Sequence, residues 1–201
     1  MQNTVTLMEV SPRDGLQNES KVISTEQKIE LIERAIAAGY RRIEVTSFVH
    51  PSKVPQMADA EEVCRLLPQI GDVTYTGLVL NDRGYRRLLA TERLHETGLV
   101  VPASDTFGRR NQGMDVVEGI TMARGVLRDA RQRGHRAQVT IAVAFGCPFE
   151  GEVPAERVVD IARVLAEEGP VEIGLADTIG VGVPTQVLDL FGRLRAVFGA
   201  Q

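Results

Sequence analysis

Val5-Thr6-Leu7-Met8-Glu9-Val10-Ser11-Pro12-Arg13-Asp14-Gly15-Leu16-Gln17-Asn18-Glu19 is the stretch on which the fold turns. An apolar run with strand character leads straight into Arg13 and Asp14, and Gly15 permits a tight turn behind them. In α/β proteins, ligands bind where strands feed loops. An adjacent cation and carboxylate at such a place can stabilise a developing oxyanion and hold a metal ion. A doubly wound dinucleotide-binding sheet would carry a glycine-rich phosphate turn here. Ser11-Pro12-Arg13-Asp14-Gly15 is not such a turn, which leaves a (β/α)8 barrel as the better reading.

The rest of the chain alternates in the same way. Strand-like runs are expected at 5–10, 42–46, 73–80, 96–101, 138–145 and 171–176. Amphipathic helices are expected at 25–38, 56–67, 82–90, 115–133, 154–168 and 184–198. That amounts to about six βα units and predicts an α/β protein with a parallel sheet. Ser24 or Thr25 can cap the first helix, Pro154 and Pro184 suit first-turn positions, and Gly39, Gly134 and Gly169 fall just past helix ends. In Ile43-Glu44-Val45-Thr46 the apolar pair can face helices while Glu44 and Thr46 face the barrel axis. Val171-Glu172-Ile173 reads likewise. A charge pointing into a strand layer must be paired, and Arg13 is the natural partner for Glu44.

Composition narrows the function. The 201 residues are 43% hydrophobic, 25% charged and 4% aromatic, with no Trp and a formal net charge of -4. A mildly acidic chain without basic runs or aromatic platforms is unsuited to nucleic acid or an anionic membrane surface. Cys64 and Cys147 are isolated, as in a reducing cytosol. Gln2, Asn3 and Thr4 are polar, so no signal peptide is expected, and no apolar run is long enough to span a bilayer. The expected location is cytoplasmic.

Acidic groups at matching strand ends add to the Arg13-Asp14 pair: Glu44 near the end of the second strand and Asp177 at the end of the sixth. Carboxylates converging on one arginine at the C-terminal face of parallel strands form a site pattern. The plainer alternative is a surface turn with an ion pair. Cys147, between Gly146 and Pro148, reads as a packed small residue rather than a nucleophile. His50 reads as a solvated loop residue, and His95 and His135 fall at strand starts, away from chemistry. The segment 104–111 reads as a solvated basic loop.

Pro12-Arg13-Asp14-Gly15-Leu16-Gln17-Asn18-Glu19 resembles the opening motif of the hydroxymethylglutaryl-CoA lyase family, metal-dependent enzymes on a TIM barrel of the pyruvate carboxyltransferase-like kind. The resemblance continues through Glu44-Val45-Thr46-Ser47-Phe48-Val49-His50-Pro51-Ser52-Lys53-Val54-Pro55-Gln56-Met57-Ala58-Asp59. It returns in Gly146-Cys147-Pro148-Phe149-Glu150-Gly151 and in Ala176-Asp177-Thr178-Ile179-Gly180-Val181-Gly182. Related Claisen-condensing synthases usually show Glu where Leu16 stands and lack the Ser-Phe-Val-His-Pro block, so the lyase branch is favoured.

The resemblance implies cleavage of 3-hydroxy-3-methylglutaryl-CoA to acetoacetate and acetyl-CoA, a step of leucine degradation and ketone-body formation, with an acyl-CoA as the substrate partner. It implies that Arg13 stabilises the enolate oxygen, that Asp14 ligates Mg²⁺ or Mn²⁺, and that Glu44 holds Arg13. Gln17, Asp177 and Thr178 are implied as polar groups around substrate or metal. The family also uses a His-x-His pair, a cysteine-bearing glycine-rich loop and an asparagine, all farther along the chain. No His-x-His occurs in these 201 residues. The expectation is therefore an incomplete (β/α)8 TIM barrel: one truncated domain over 1–201 with its C-terminal strands missing, inactive alone. Two further readings stay open. One is a non-catalytic partial barrel that associates with itself or a complementing chain; the other is a lyase for a related 3-hydroxy-3-methyl acyl-CoA.

Overall fold

The computed structural model describes residues 5–199; the polar lead-in Gln2–Thr4 lies outside the described residues. The chain divides into two compact units, residues 1–98 and 99–201. Five strands, β1 (Arg42–Ser47), β2 (Thr74–Val79), β3 (Glu96–Pro102), β4 (Arg136–Ala142) and β5 (Ile173–Leu175), have the sheet order β1-β2-β3-β4-β5. β1 and β2 pair in parallel, as do β4 and β5. The α/β class and parallel sheet are as the sequence predicts.

In the first unit, β1 is followed by a 3₁₀ turn (Pro55–Met57) and α2 (Ala60–Leu66), and β2 by α3 (Asp82–Ala90). α1 (Thr25–Ala37) precedes β1. Its N-terminus is closed by a capping box in which Ser24 Oγ accepts the Gln27 N–H while Gln27 Oε1 accepts the Ser24 N–H. The second unit holds α4 (Asp105–Asn111), α5 (Val116–Arg133), α6 (Ala155–Ala166) and α7 (Pro184–Phe198). Gly39, Gly134 and Gly169 all adopt positive φ past helix ends, as expected. Buried Ile32, Ile43, Val63, Val79 and Leu88 fill the core of the first unit, and Val139, Ile141, Val158 and Leu165 that of the second. Among the described residues no helix is long and apolar enough to cross a membrane.

Four differences from the expected elements have physical causes. The run 5–10 is not a strand: only Glu9 bridges Ile43, through bonds with Arg42 O (2.9 Å) and Glu44 N (2.8 Å). Val5 and Leu7 are 83% and 65% exposed, so the alternation there gains no burial to offset ordering. The run 171–176 shrinks to Ile173–Leu175, with Val171 exposed and outside the strand. The expected helix 56–67 is divided into the Pro55–Met57 turn and α2, and Asp59, at the start of α2, does not cap it with its side chain. Its carboxylate is drawn instead to Lys28 Nζ (2.5 Å) and Thr25 Oγ1 (2.7 Å). The segment expected as a basic loop is α4, started by Ser104 Oγ accepting the Phe107 N–H.

Candidate active site

The Ser11–Gly15 turn is π-helical, entered through Pro12 and closed by Asp14 N–H donating to Val10 O at 2.7 Å. It sets Arg13 and Asp14 beside β1. Arg13 Nε donates to Glu44 Oε1, and Arg13 Nη1 donates to Asp14 Oδ1 at 2.7 Å. Gln17 Nε2 donates to the same Asp14 oxygen at 3.4 Å. Four of the residues singled out in the sequence thus meet in the first unit. Glu44 is buried, and burial pushes its carboxyl above the ordinary range against the pull of the Arg13 guanidinium. The pair lies on the sheet face shared by Thr76 and Gly98, where a Cβ on Gly98 would stand 3.5 Å from Glu44 Oε2.

Thr46 does not share that face, contrary to the simple alternation. Glu44 pairs with Thr76, but Thr46 pairs with Gly77 and Ser47 with Leu78, so the register slips at Val45. One extra residue in a strand reverses the facing of all that follow. Thr46 Oγ1 therefore turns to Met57 Sδ (3.8 Å), and Ser47 takes the Glu44 side. Ser47 is fully buried, and its Oγ has no hydrogen-bond partner. No residue in the run 42–47 marks the bulge, which is why Ser47 escapes a sequence reading.

A second ion pair joins β1 and β3 at their N-terminal ends. Arg42 Nη2 donates to the fully buried Glu96 at 2.8 Å, which also accepts Thr76 Oγ1 at 3.5 Å. No local pattern in the sequence joins residues 42 and 96.

Asp177 and Thr178 belong to the second unit, in the loop after β5. Asp177 Oδ1 accepts the Val181 N–H (3.0 Å) and Oδ2 the Gly182 N–H (2.9 Å), so the carboxylate ties its own loop. Thr178 Oγ1 accepts the Val143 N–H at 2.8 Å. Cys147 is buried and packed as expected, with its Sγ 2.9 Å from Ser104 Oγ. Glu150 accepts the Thr106 N–H (2.6 Å), and the Thr106 side chain and backbone together hold its carboxyl below the ordinary range. Arg110 is not simply solvated: its guanidinium lies over the Phe149 ring, 4.2 Å from the centroid.

For a divalent ion, this chain offers Asp14. Its side chain is 54% exposed, and its Oδ2 accepts no hydrogen bond among the described residues. No group of three His, Cys, Asp or Glu side chains that could hold a metal ion occurs among them. One open carboxylate oxygen fits an oxygen-preferring ion such as Mg²⁺, which keeps water and substrate as further ligands.

Parallel βα units carrying an arginine–carboxylate cluster beside the first strand define a class of α/β barrel proteins with polar, oxygen-rich sites. Residues 4–200 match the HMGL-like family, to which the chain belongs. It is 43% identical to the (R)-citramalyl-CoA lyase of Chloroflexus aurantiacus, over 92% of this chain and 62% of that protein. It is 38% identical to the hydroxymethylglutaryl-CoA lyase YngG of Bacillus subtilis, over 98% and 65%. The crystal structure of the Bacillus subtilis HMG-CoA lyase superposes with a TM-score of 0.93 at 38% identity, over 96% of this chain and 65% of that one. The fold is therefore that of part of a TIM barrel, and the chain spans just under two thirds of the length of these relatives.

Proposed function

We propose that these residues form the N-terminal portion of a divalent-metal-dependent carbon–carbon lyase that cleaves a 3-hydroxy-3-methyl acyl-CoA, with 3-hydroxy-3-methylglutaryl-CoA as the leading substrate. The observation that carries this reading is Arg13, held by Glu44 through Nε and by Asp14 through Nη1. Among the described residues its Nη2 makes no hydrogen bond. That leaves a fixed, planar cation with donors to spare for an oxyanion.

Cleavage between C2 and C3 removes the C3 hydroxyl proton and leaves the bonding electrons on the thioester as an enolate. Arg13 would meet the negative oxygen with charge-assisted hydrogen bonds, in a site where Glu44 forbids the guanidinium to swing. Asp14 would hold the metal ion through Oδ2, with Gln17 fixing the other oxygen. A bound Mg²⁺ or Mn²⁺ would supply Lewis-acid polarisation of substrate oxygens. Asp177 and Thr178 would act on substrate through the loop they organise. The similarity to an (R)-citramalyl-CoA lyase supports an acyl group of this breadth.

A second reading is favoured by the second unit's last helix. On α7, Leu188 and Phe191 are 74% and 47% exposed, an apolar surface suited to another chain. In that reading the protein works only in association, as a homo-oligomer or with a complementing chain.

The test is calorimetric binding of 3-hydroxy-3-methylglutaryl-CoA and of (R)-citramalyl-CoA in excess Mn²⁺, with acetoacetate and pyruvate release assayed alongside. The 201-residue chain should bind one of the two, lose about tenfold or more in affinity on Arg13→Lys or Asp14→Asn, and turn over only when a chain carrying His-x-His is added. Binding indifferent to both substitutions would remove this site from the function.

A further inference from the structure

The turn that carries Arg13 and Asp14 is fastened at both ends, and only one fastening belongs to the site described above. Its exit runs through Asn18, whose Nδ2 donates to Asp14 O at 3.0 Å, to Glu19, whose carbonyl accepts Gln56 Nε2 at 2.5 Å. Gln56 is itself held. Its backbone carbonyl accepts Lys28 Nζ, which also donates to Asp59 Oδ1 at 2.5 Å. The other Asp59 oxygen accepts Thr25 Oγ1 at 2.7 Å. Lys28 is 2% exposed, an ammonium almost wholly withdrawn from water on a helix face otherwise made of Ile32, Ala35 and Ile36. Burying a charge is costly unless it is paired and hydrogen-bonded. A leucine would fill that position with less difficulty, so the lysine is explained by what it grips: the Pro55–Met57 turn.

We infer that Gln56, set in place by the buried Lys28–Asp59 pair, is a positioning residue for the Asp14–Glu19 segment. This rests on reading Asp14 and Gln17 as groups that face metal and substrate. Without the Gln56 amide the Glu19 carbonyl loses its partner, and the exposed residues 18–22 have little packing to keep them in place. Gln17, which steadies Asp14 Oδ1 from within that segment, would then share in the loosening. Gln56 and Asp59 thereby fix, from one loop, the segment on which a neighbouring loop's chemistry depends.

Gln56→Glu is the decisive variant, because it keeps the shape but replaces the donating N–H₂ with oxygen, which repels the Glu19 carbonyl. Gln56→Lys restores a donor and serves as the rescue. In the 201-residue chain, hydrogen–deuterium exchange over residues 16–24 should rise about tenfold in Gln56→Glu and return toward wild type in Gln56→Lys. Exchange over 32–36 should stay the same in all three. Mn²⁺ affinity should fall about fivefold in Gln56→Glu and recover in Gln56→Lys. Unchanged exchange in Gln56→Glu overturns the inference. So does faster exchange with undiminished Mn²⁺ binding, because the contact would then be structural only. A wild-type chain that binds no Mn²⁺ sinks the reading of Asp14 and the positioning role with it, while the exchange data still decide whether Gln56 fastens the segment.

Discussion

The Val143 N–H donates to the Thr178 hydroxyl oxygen at 2.8 Å, and Val143 carries a φ of 52°. A buried β-branched residue in the left-handed region is strained by on the order of 1–3 kcal/mol. The strain turns the chain sharply at the end of β4, so that Ala144 N–H reaches Ala176 O at 3.1 Å and Gly146 meets Val181. A Cβ on Gly146 would stand 2.8 Å from Val181 Cγ2, so any larger residue there would have to displace the Val181 side chain. Thr178 is thus the acceptor that holds a strained turn in place.

Thr178→Val keeps the shape and removes the acceptor. It should destabilise the chain by about 1–2 kcal/mol, the usual cost of leaving a largely buried N–H unsatisfied. Thr178→Ser should restore most of the loss. Urea denaturation of the three proteins measures it. Equal midpoints for Thr178→Val and wild type would show that the bond carries no stability.

Glu44 gives a pH prediction with a definite sign. Its folded pKa is raised above the ordinary 4.5 by burial, so between that value and its raised value the folded chain holds more protons than the unfolded one. Stability then falls as pH rises through this window. Glu44→Gln should abolish that part of the slope while keeping a hydrogen-bond acceptor for Arg13. Denaturation midpoints followed upward from pH 4.5 in both proteins decide it. A slope identical in the variant would assign the pH dependence to other groups.

The readable part of this structure is the part in which local pattern and tertiary need agree. The alternation of runs revealed the sheet class, because each strand and helix carries its own periodicity. Arg13 with Glu44 was legible because a charge in a strand layer demands a partner, and one cation stood at the neighbouring strand end. Three features were not legible, each for a physical reason. The bulge at Val45 inserts a residue without a glycine to mark it, so Thr46 and Ser47 exchange faces unseen. The Lys28–Asp59 pair spans 31 residues, and an isolated lysine on an amphipathic helix ordinarily snorkels to water. Asp177 was legible as a strand-end carboxylate, but not its hold on its own loop, where both oxygens accept backbone N–H groups from residues that no local pattern marks as donors.

Cys64 provides a check on the core of the first unit. Burial pushes its thiol up to about 12, so thiolate is negligible at neutral pH. Native chain treated with iodoacetamide should stay unmodified at Cys64 for as long as it remains folded, and become alkylated promptly in denaturant. Mass spectrometry of tryptic peptides reads this directly. Rapid native labelling of Cys64 would mean that the α2 side of the core opens far more often than its packing implies.

Ser47 supplies the sharpest test of how the first unit's inner face is used. Its hydroxyl is fully buried on the Glu44 side of the bulge and has no partner. An unsatisfied buried hydroxyl costs stability, so Ser47→Ala should leave the chain as stable as wild type or more stable by about 1 kcal/mol. The same substitution should weaken acyl-CoA binding several-fold if the hydroxyl completes its hydrogen bonding on a ligand oxygen beside Arg13. The two effects have opposite signs, which separates this outcome from general damage to the fold. Denaturation and calorimetric titration of one variant give both numbers. Lower stability with unchanged binding would show that Ser47 is an ordinary packed residue, and that the bulge at Val45 serves the Thr46–Met57 contact instead.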